Sequence, residues 1–166
     1  MKYHDQLPMR ARVVTEISCY VDNQPGMLSK MTQLFSRNNV NIQGIQVYEG
    51  QLQSLIMLVV NQPAVAEKIL RDLGIELISE SDILEVQVPN RVGGLEGVAT
   101  LLGSKGINIK TVYSSDGHGD LGIAYIKVDQ VQEGLKLINS VPLDQRQHRN
   151  LKETADITSK ISSERR

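Results

Sequence analysis

The chain of 166 residues is written twice. The segment NQPGMLSKMTQLFSRNNVNI, starting at Asn23, lies over NRVGGLEGVATLLGSKGINI, starting at Asn90, at an offset of 90 − 23 = 67 and without a gap. At that offset Asn23 meets Asn90, Gly26 meets Gly93, Leu28 meets Leu95, Leu34 meets Leu101, Asn41 meets Asn108 and Ile42 meets Ile109. Each copy of such a repeat is one supersecondary unit, so the fold has to be assembled from two equivalent halves.

The apolar periods fill in each half. Val13 to Val21 and Ile83 to Val88 read as opening strands. Met27, Leu28, Met31, Leu34 and Phe35 then recur at helical spacing, as do Leu95, Val98, Ala99 and Leu102. Strand-like runs follow at Ile42 to Tyr48 and Ile109 to Ser115, each leading into a glycine-bearing turn, Glu49-Gly50 or Asp116-Gly117-His118-Gly119. The returning strands are Leu55 to Val60 and Leu121 to Val128, where one extra turn residue moves the offset to 68. Second helices carry Val65, Ile69, Leu70 and Leu73, or Val131, Leu135 and Ile138, with Pro63 as a start and Gly74 as a stop.

Ile75 to Ser79 supplies a fourth strand to the first copy, completing strand, helix, strand, strand, helix, strand. The expected fold class is therefore α+β: two tandem ferredoxin-like βαββαβ units with antiparallel sheets and helices on one face. After Ser140 the second copy departs from the pattern, so its last strand is expected to be missing or supplied by a partner. The expected division is an N-terminal extension over 1–12, units over 13–80 and 81–142, and a polar tail over 143–166. Only Glu80-Ser81-Asp82 separates the units, so they should pack together.

Charge and composition remove several function classes. Eighteen basic and 19 acidic residues nearly cancel, leaving no footprint for a phosphate backbone, and one Phe, five Tyr and no Trp make a poor base-stacking platform. Nucleic acid is not an expected partner. Cys19 is the single cysteine and lies in an apolar run, which excludes an intramolecular disulfide and fits a reducing, cytoplasmic setting. No apolar leader or stretch of about 18 apolar residues points to a membrane. No nucleophile motif or phosphate loop occurs, and a small hydrolase would need an arginine in the anion loop; Arg91 occupies such a loop in the second copy, but its counterpart is Gln24, so the repeat argues against it. His4, His118 and His148 are scattered, and the DGHGD turn is too short for a cation site, so neither metal nor cofactor is expected.

The loop before the first helix carries the most specific signal. VDNQPGML, followed 18 residues after its asparagine by Asn41-Ile42, resembles the amino-acid-binding signature of ACT domains, the regulatory modules of amino-acid biosynthetic enzymes. The spacing recurs, since 108 − 90 = 18, and the resemblance covers about residues 13–140. A tandem pair without a catalytic domain is similar to free-standing ACT regulators. The small regulatory subunit of acetolactate synthase ranks second, because its second half differs.

The resemblance implies a non-catalytic protein that binds a small amino acid effector and modulates a client enzyme of amino-acid metabolism, its units associating side by side in a homodimer or within the chain. It places the ligand at Asp22, Asn23, Gln24, Pro25, Gly26, Met27, Leu28, Asn41 and Ile42, and again at Asn90, Arg91, Val92, Gly93, Gly94, Leu95, Asn108 and Ile109. Amides at a helix start would take the carboxylate, a glycine there allows close approach, and asparagine amides with backbone carbonyls would take the ammonium. The second loop departs from the signature: Val92 replaces Pro25, Gly94 replaces Met27, and a proline moves to Pro89. The histidine that some members place two residues before the first asparagine is Val21 here. Two plainer readings stand beside this one. The asparagines could be ordinary caps and turn residues, and the double unit could be a ligand-free dimerisation scaffold. The charged tail is expected to be solvated, or to dock on a partner.

Overall fold

The computed structural model describes residues 9–115 and 119–141; His4, His118, His148 and the tail lie outside the described residues. The elements are β1 (Arg10–Asp22), α1 (Met27–Arg37), β2 (Ile42–Tyr48), β3 (Gln53–Val60), α2 (Pro63–Asp72), β4 (Leu77–Pro89), α3 (Gly94–Ser104), β5 (Ile109–Ser115), β6 (Leu121–Val128) and α4 (Val131–Asn139). They match the repeat copy for copy, and the expected α+β class with ferredoxin-like units holds. All six strands join one antiparallel sheet in the order β2-β3-β1-β4-β6-β5.

One difference from the sequence reading reshapes the molecule. The strands expected at Ile75–Ser79 and Ile83–Val88 are a single 13-residue strand, β4, because Glu80, Ser81 and Asp82 pair with Ile17, Glu16 and Thr15 of β1. Polar residues suit such a stretch, which pairs with β1 on one side while its ladder with β6 begins only at Leu84. Among the described residues no strand follows α4. The place of a fourth strand in the second half is taken by the amino-terminal part of β1, where Arg10 to Val13 pair with Gln87 to Leu84. Reciprocally, the start of β4 lies beside the carboxy-terminal part of β1, with Leu77 opposite Cys19. Each long central strand thus serves both halves.

Each half buries its own core under its helices. Ile17, Cys19, Met31, Phe35, Leu58 and Leu70 belong to the first, and Leu84, Val86, Val98, Leu102, Ile126 and Ile138 to the second, which also takes in Met9. Fully burying each such side chain contributes about 1.5–3 kcal/mol. The opposite face closes on itself. Four strand spacings of about 4.8 Å separate β2 from β6 in a flat sheet, far beyond one tyrosine's reach, yet the Tyr125 hydroxyl donates to the Gln43 carbonyl at 3.0 Å. The sheet is therefore strongly curled, and Gly44 admits the Tyr125 ring, because a Cβ there would lie 2.6 Å from it. Inside the curl the fully buried Glu16 accepts from Lys127 Nζ at 3.2 Å and from the Tyr113 hydroxyl at 3.1 Å.

Candidate functional site

The loop between β1 and α1 is built by two devices. Gly26, at φ 89°, takes the left-handed turn that starts the helix, a conformation costly for a residue with a Cβ. Asn23 ties the loop to the β2–β3 turn: its backbone N–H donates to Leu52 O at 2.9 Å and its Nδ2 to Gly50 O at 2.9 Å. Gly93 and Asn90 repeat both, with φ 86° and with bonds to Asp120 O at 2.8 Å and Gly119 O at 3.1 Å. The asparagines are thus hairpin tethers and not helix caps. Neither α1 nor α3 carries a side-chain cap.

An uncapped helix start is a place for an anion. In α1 the Met27 amide turns back to Gln24 O at 3.3 Å and the first helical bond runs from Lys30 N–H to Gly26 O at 2.9 Å. The amides of Leu28 and Ser29 precede that ladder and lie at the positive end of the helix dipole. Asp22, Asn23, Gln24, Pro25, Gly26 and Leu28 are all exposed around this point, and Met27 is half-buried.

The second pair of motif residues lies elsewhere. Asn41 and Ile42 open β2, whereas the Asn23 loop adjoins its far end, about six residue steps or roughly 20 Å away. One amino acid cannot touch both within a unit. The Asn41 N–H is held by Asn61 Oδ1 at 2.8 Å, and the Asn108 N–H by Asp129 Oδ1 at 2.9 Å. Asn108 and Ile109 open β5 in the same relation to Asn90.

A groove that sequence reasoning did not find adjoins the first loop. With a volume of about 510 Å³, it is lined by Tyr20, Asp22, Met27, Gln53, Glu76 and Ile78, among others. It exists because β1 runs on to Asp22 while its ladder with β4 ends at Cys19 opposite Leu77, with a register shift there that leaves Ile78 exposed. Asp22 and Met27 were nameable beforehand, as residues of the loop. The other walls come from β1, β3 and α2–β4, and no spacing signal marks them.

The two loops differ where their sequences differ. Asp22 is matched by Pro89 and Met27 by Gly94. Gly94 is buried, and a Cβ on it would overlap the Pro89 carbonyl. The start of α3 therefore sits down on the end of β4. Arg91 and Val92 stand exposed on this tighter loop.

Comparison with known proteins bears out the resemblance drawn from the loop. Residues 17–76 match the family model described as an AHAS small subunit-like ACT domain. Curated proteins give no match. Among solved structures, protein BT0572 from Bacteroides thetaiotaomicron superposes with a TM-score of 0.70 at 22% identity, covering 77% of this chain and 88% of that one. The ligand-free regulatory subunit of aspartate kinase from Thermus thermophilus gives 0.62 at 16%, covering 78% and 93%. The regulatory subunit of aspartate kinase from Thermus flavus gives 0.58 at 17%, covering 80% and 95%. At these identities the superpositions speak for the fold.

Proposed function

We propose that this tandem pair of ACT-type units is a non-catalytic regulatory protein, and that it binds a small amino acid at the loop from Asp22 to Leu28. The observation that carries the reading is the uncapped start of α1, presented by Gly26 and braced by Asn23, inside the segment that matches an ACT family model. The amino acid's carboxylate meets the Leu28 and Ser29 amides, and its ammonium meets side-chain and backbone oxygens of the loop. The second loop, closed by Gly94 on Pro89, is the weaker site or an empty one.

The distance between Asn23 and Asn41 gives the homodimer a purpose. β2 is an outer strand of the sheet, with Ile45, Val47 and Tyr48 exposed. Two copies paired antiparallel along β2 would bring Asn41 and Ile42 of a second copy to the Asn23 loop of the first. Binding then stabilises one arrangement of the pair, and a client enzyme that prefers that arrangement is switched. The neighbours that are regulatory subunits of aspartate kinase support such a client in amino-acid metabolism. A second reading, the small subunit of an acetolactate-synthase-like enzyme, is favoured by the description of the matching family model. Added catalytic subunit of that class would discriminate it through a change in turnover. No described helix is long and apolar enough to cross a membrane, and we place the protein in the cytoplasm.

A thermal-shift screen against the twenty amino acids tests the proposal, since a ligand that binds only the folded state raises the melting temperature. A rise for one chemical class, lost in Asn23→Ala and kept in Asn90→Ala, is the expected result. No shift for any amino acid would leave the dimerisation scaffold as the better account.

A further inference from the structure

We infer that the curl of the sheet is a reversible closure, so that the chain has a second arrangement in which its two halves part on the face away from the helices. The seam inside the curl is unlike the two cores. Its apolar cluster buries Val59, Ile83 and Tyr125, against thirteen buried residues in the first core and eleven in the second. The rest of the seam is polar: Glu16 with Lys127 and the Tyr113 hydroxyl, the Tyr125 hydroxyl on the Gln43 carbonyl, and Glu85 with Arg12. Seams of this small, polar kind within one chain permit relative motion of the parts they join, whereas large apolar ones do not.

Closure also leaves two groups worse off. Gln46 lies on the same face of β2 as Gly44, and Thr111 on the same face of β5 as Tyr113, so both side chains belong to the inside of the curl. Gln46 Oε1 and Thr111 Oγ1 are buried and have no hydrogen-bond partner among the described residues. The repeat accounts for both. At the offset of 67, Gly44, which admits the Tyr125 ring, is matched by Thr111, and Tyr113, which reaches Glu16, is matched by Gln46, while Glu16 itself is matched by Ile83. The partners that complete the seam on one side are thus lacking on the other. A buried polar atom without a partner carries a cost that contact with water removes, so parting relieves both atoms while each core stays whole. The hinge is the β1–β4 ladder, whose middle pairs Thr15 with Asp82 and Glu16 with Ser81. The molecule therefore holds a two-state element within one chain, whether or not an amino acid binds at the first loop.

Distances between nitroxide labels, read by double electron–electron resonance, test the closure. Val47 and Ser114 are exposed on the two outermost strands, and their pair partners Ile56 and Ala124 belong to the helix-side cores, so labels on Val47→Cys and Ser114→Cys point away from the seam. Cys19 is buried and stays in place, and labelled chain is diluted into unlabelled chain so that distances within one chain are read. Tyr125→Phe removes a bond that closure makes, and Gln46→Leu with Thr111→Val removes the atoms that closure leaves without partners. The expected result is two distances in the otherwise unaltered chain. The ratio of the longer to the shorter should rise roughly twofold to tenfold in Tyr125→Phe, the weight of one hydrogen bond, and fall in the double variant. One short distance shared by all three proteins, or a ratio that the two changes do not move in opposite directions, overturns the reversible closure.

Discussion

Glu16 is fully buried, and the cost of withdrawing its carboxylate from water is met by Lys127 and Tyr113 from the other half of the molecule. Removing the cation alone leaves a buried charge unpaired, so Lys127→Met should cost about 3 kcal/mol or more in urea unfolding, whereas Glu16→Met with Lys127→Met should recover most of it. Equal loss in single and double variants would contradict this. Gly44→Ala pushes a Cβ into the Tyr125 ring and should cost about 1–3 kcal/mol in the same assay. Burial pushes the Cys19 thiol up to about 11, so iodoacetamide at pH 8 should label it only after unfolding. At this scale the sequence was legible where a residue acts on its own backbone, as Gly26 and Gly93 do. It was not legible for Asn23, because the hairpin carbonyl it tethers is set by tertiary approach.

Among the elements, the contact of α2 with β4 holds a titratable joint. Glu67 on α2 shares a hydrogen bond with Glu80 on β4, and that bond, then burial and Glu80's charge, raise the Glu67 carboxyl above its ordinary value despite Arg71 nearby. A carboxyl whose folded value lies above its unfolded one contributes stability below about 4.5, and that stability is lost as pH rises through the folded value. Glu67→Gln should therefore raise the melting temperature near neutral pH and flatten its dependence between pH 4 and 7. A variant less stable than wild type at pH 7 would count against the joint. The helices and hairpins were readable because their periods are local. The merging of two expected strands into β4 was not, since Glu80, Ser81 and Asp82 look like a linker until β1 lies beside them.

At the scale of the molecule, the repeat announced two halves, but only the fold shows that each lends a strand to the other. Pairing of Arg10–Val13 with Leu84–Gln87 joins residues more than seventy positions apart, beyond any spacing rule. Deleting residues 1–12 should therefore strip Met9 and Ala11 from the second core and lower the melting temperature by several degrees, without changing which amino acids bind at the first loop. The two candidate loops end the two long strands, so both are anchored to one continuous ladder. The groove escaped the sequence because its walls converge from β1, β3 and α2–β4. The most direct test of the central claim is amide chemical-shift mapping on isotope-labelled protein titrated with the best amino acid from the screen. The account predicts the largest shifts at Asn23 to Ser29, with Asn41 and Ile42 following on dimer formation and little change at Asn90 to Leu95. Shifts centred on the second loop, or on the helix surface far from both, would contradict it.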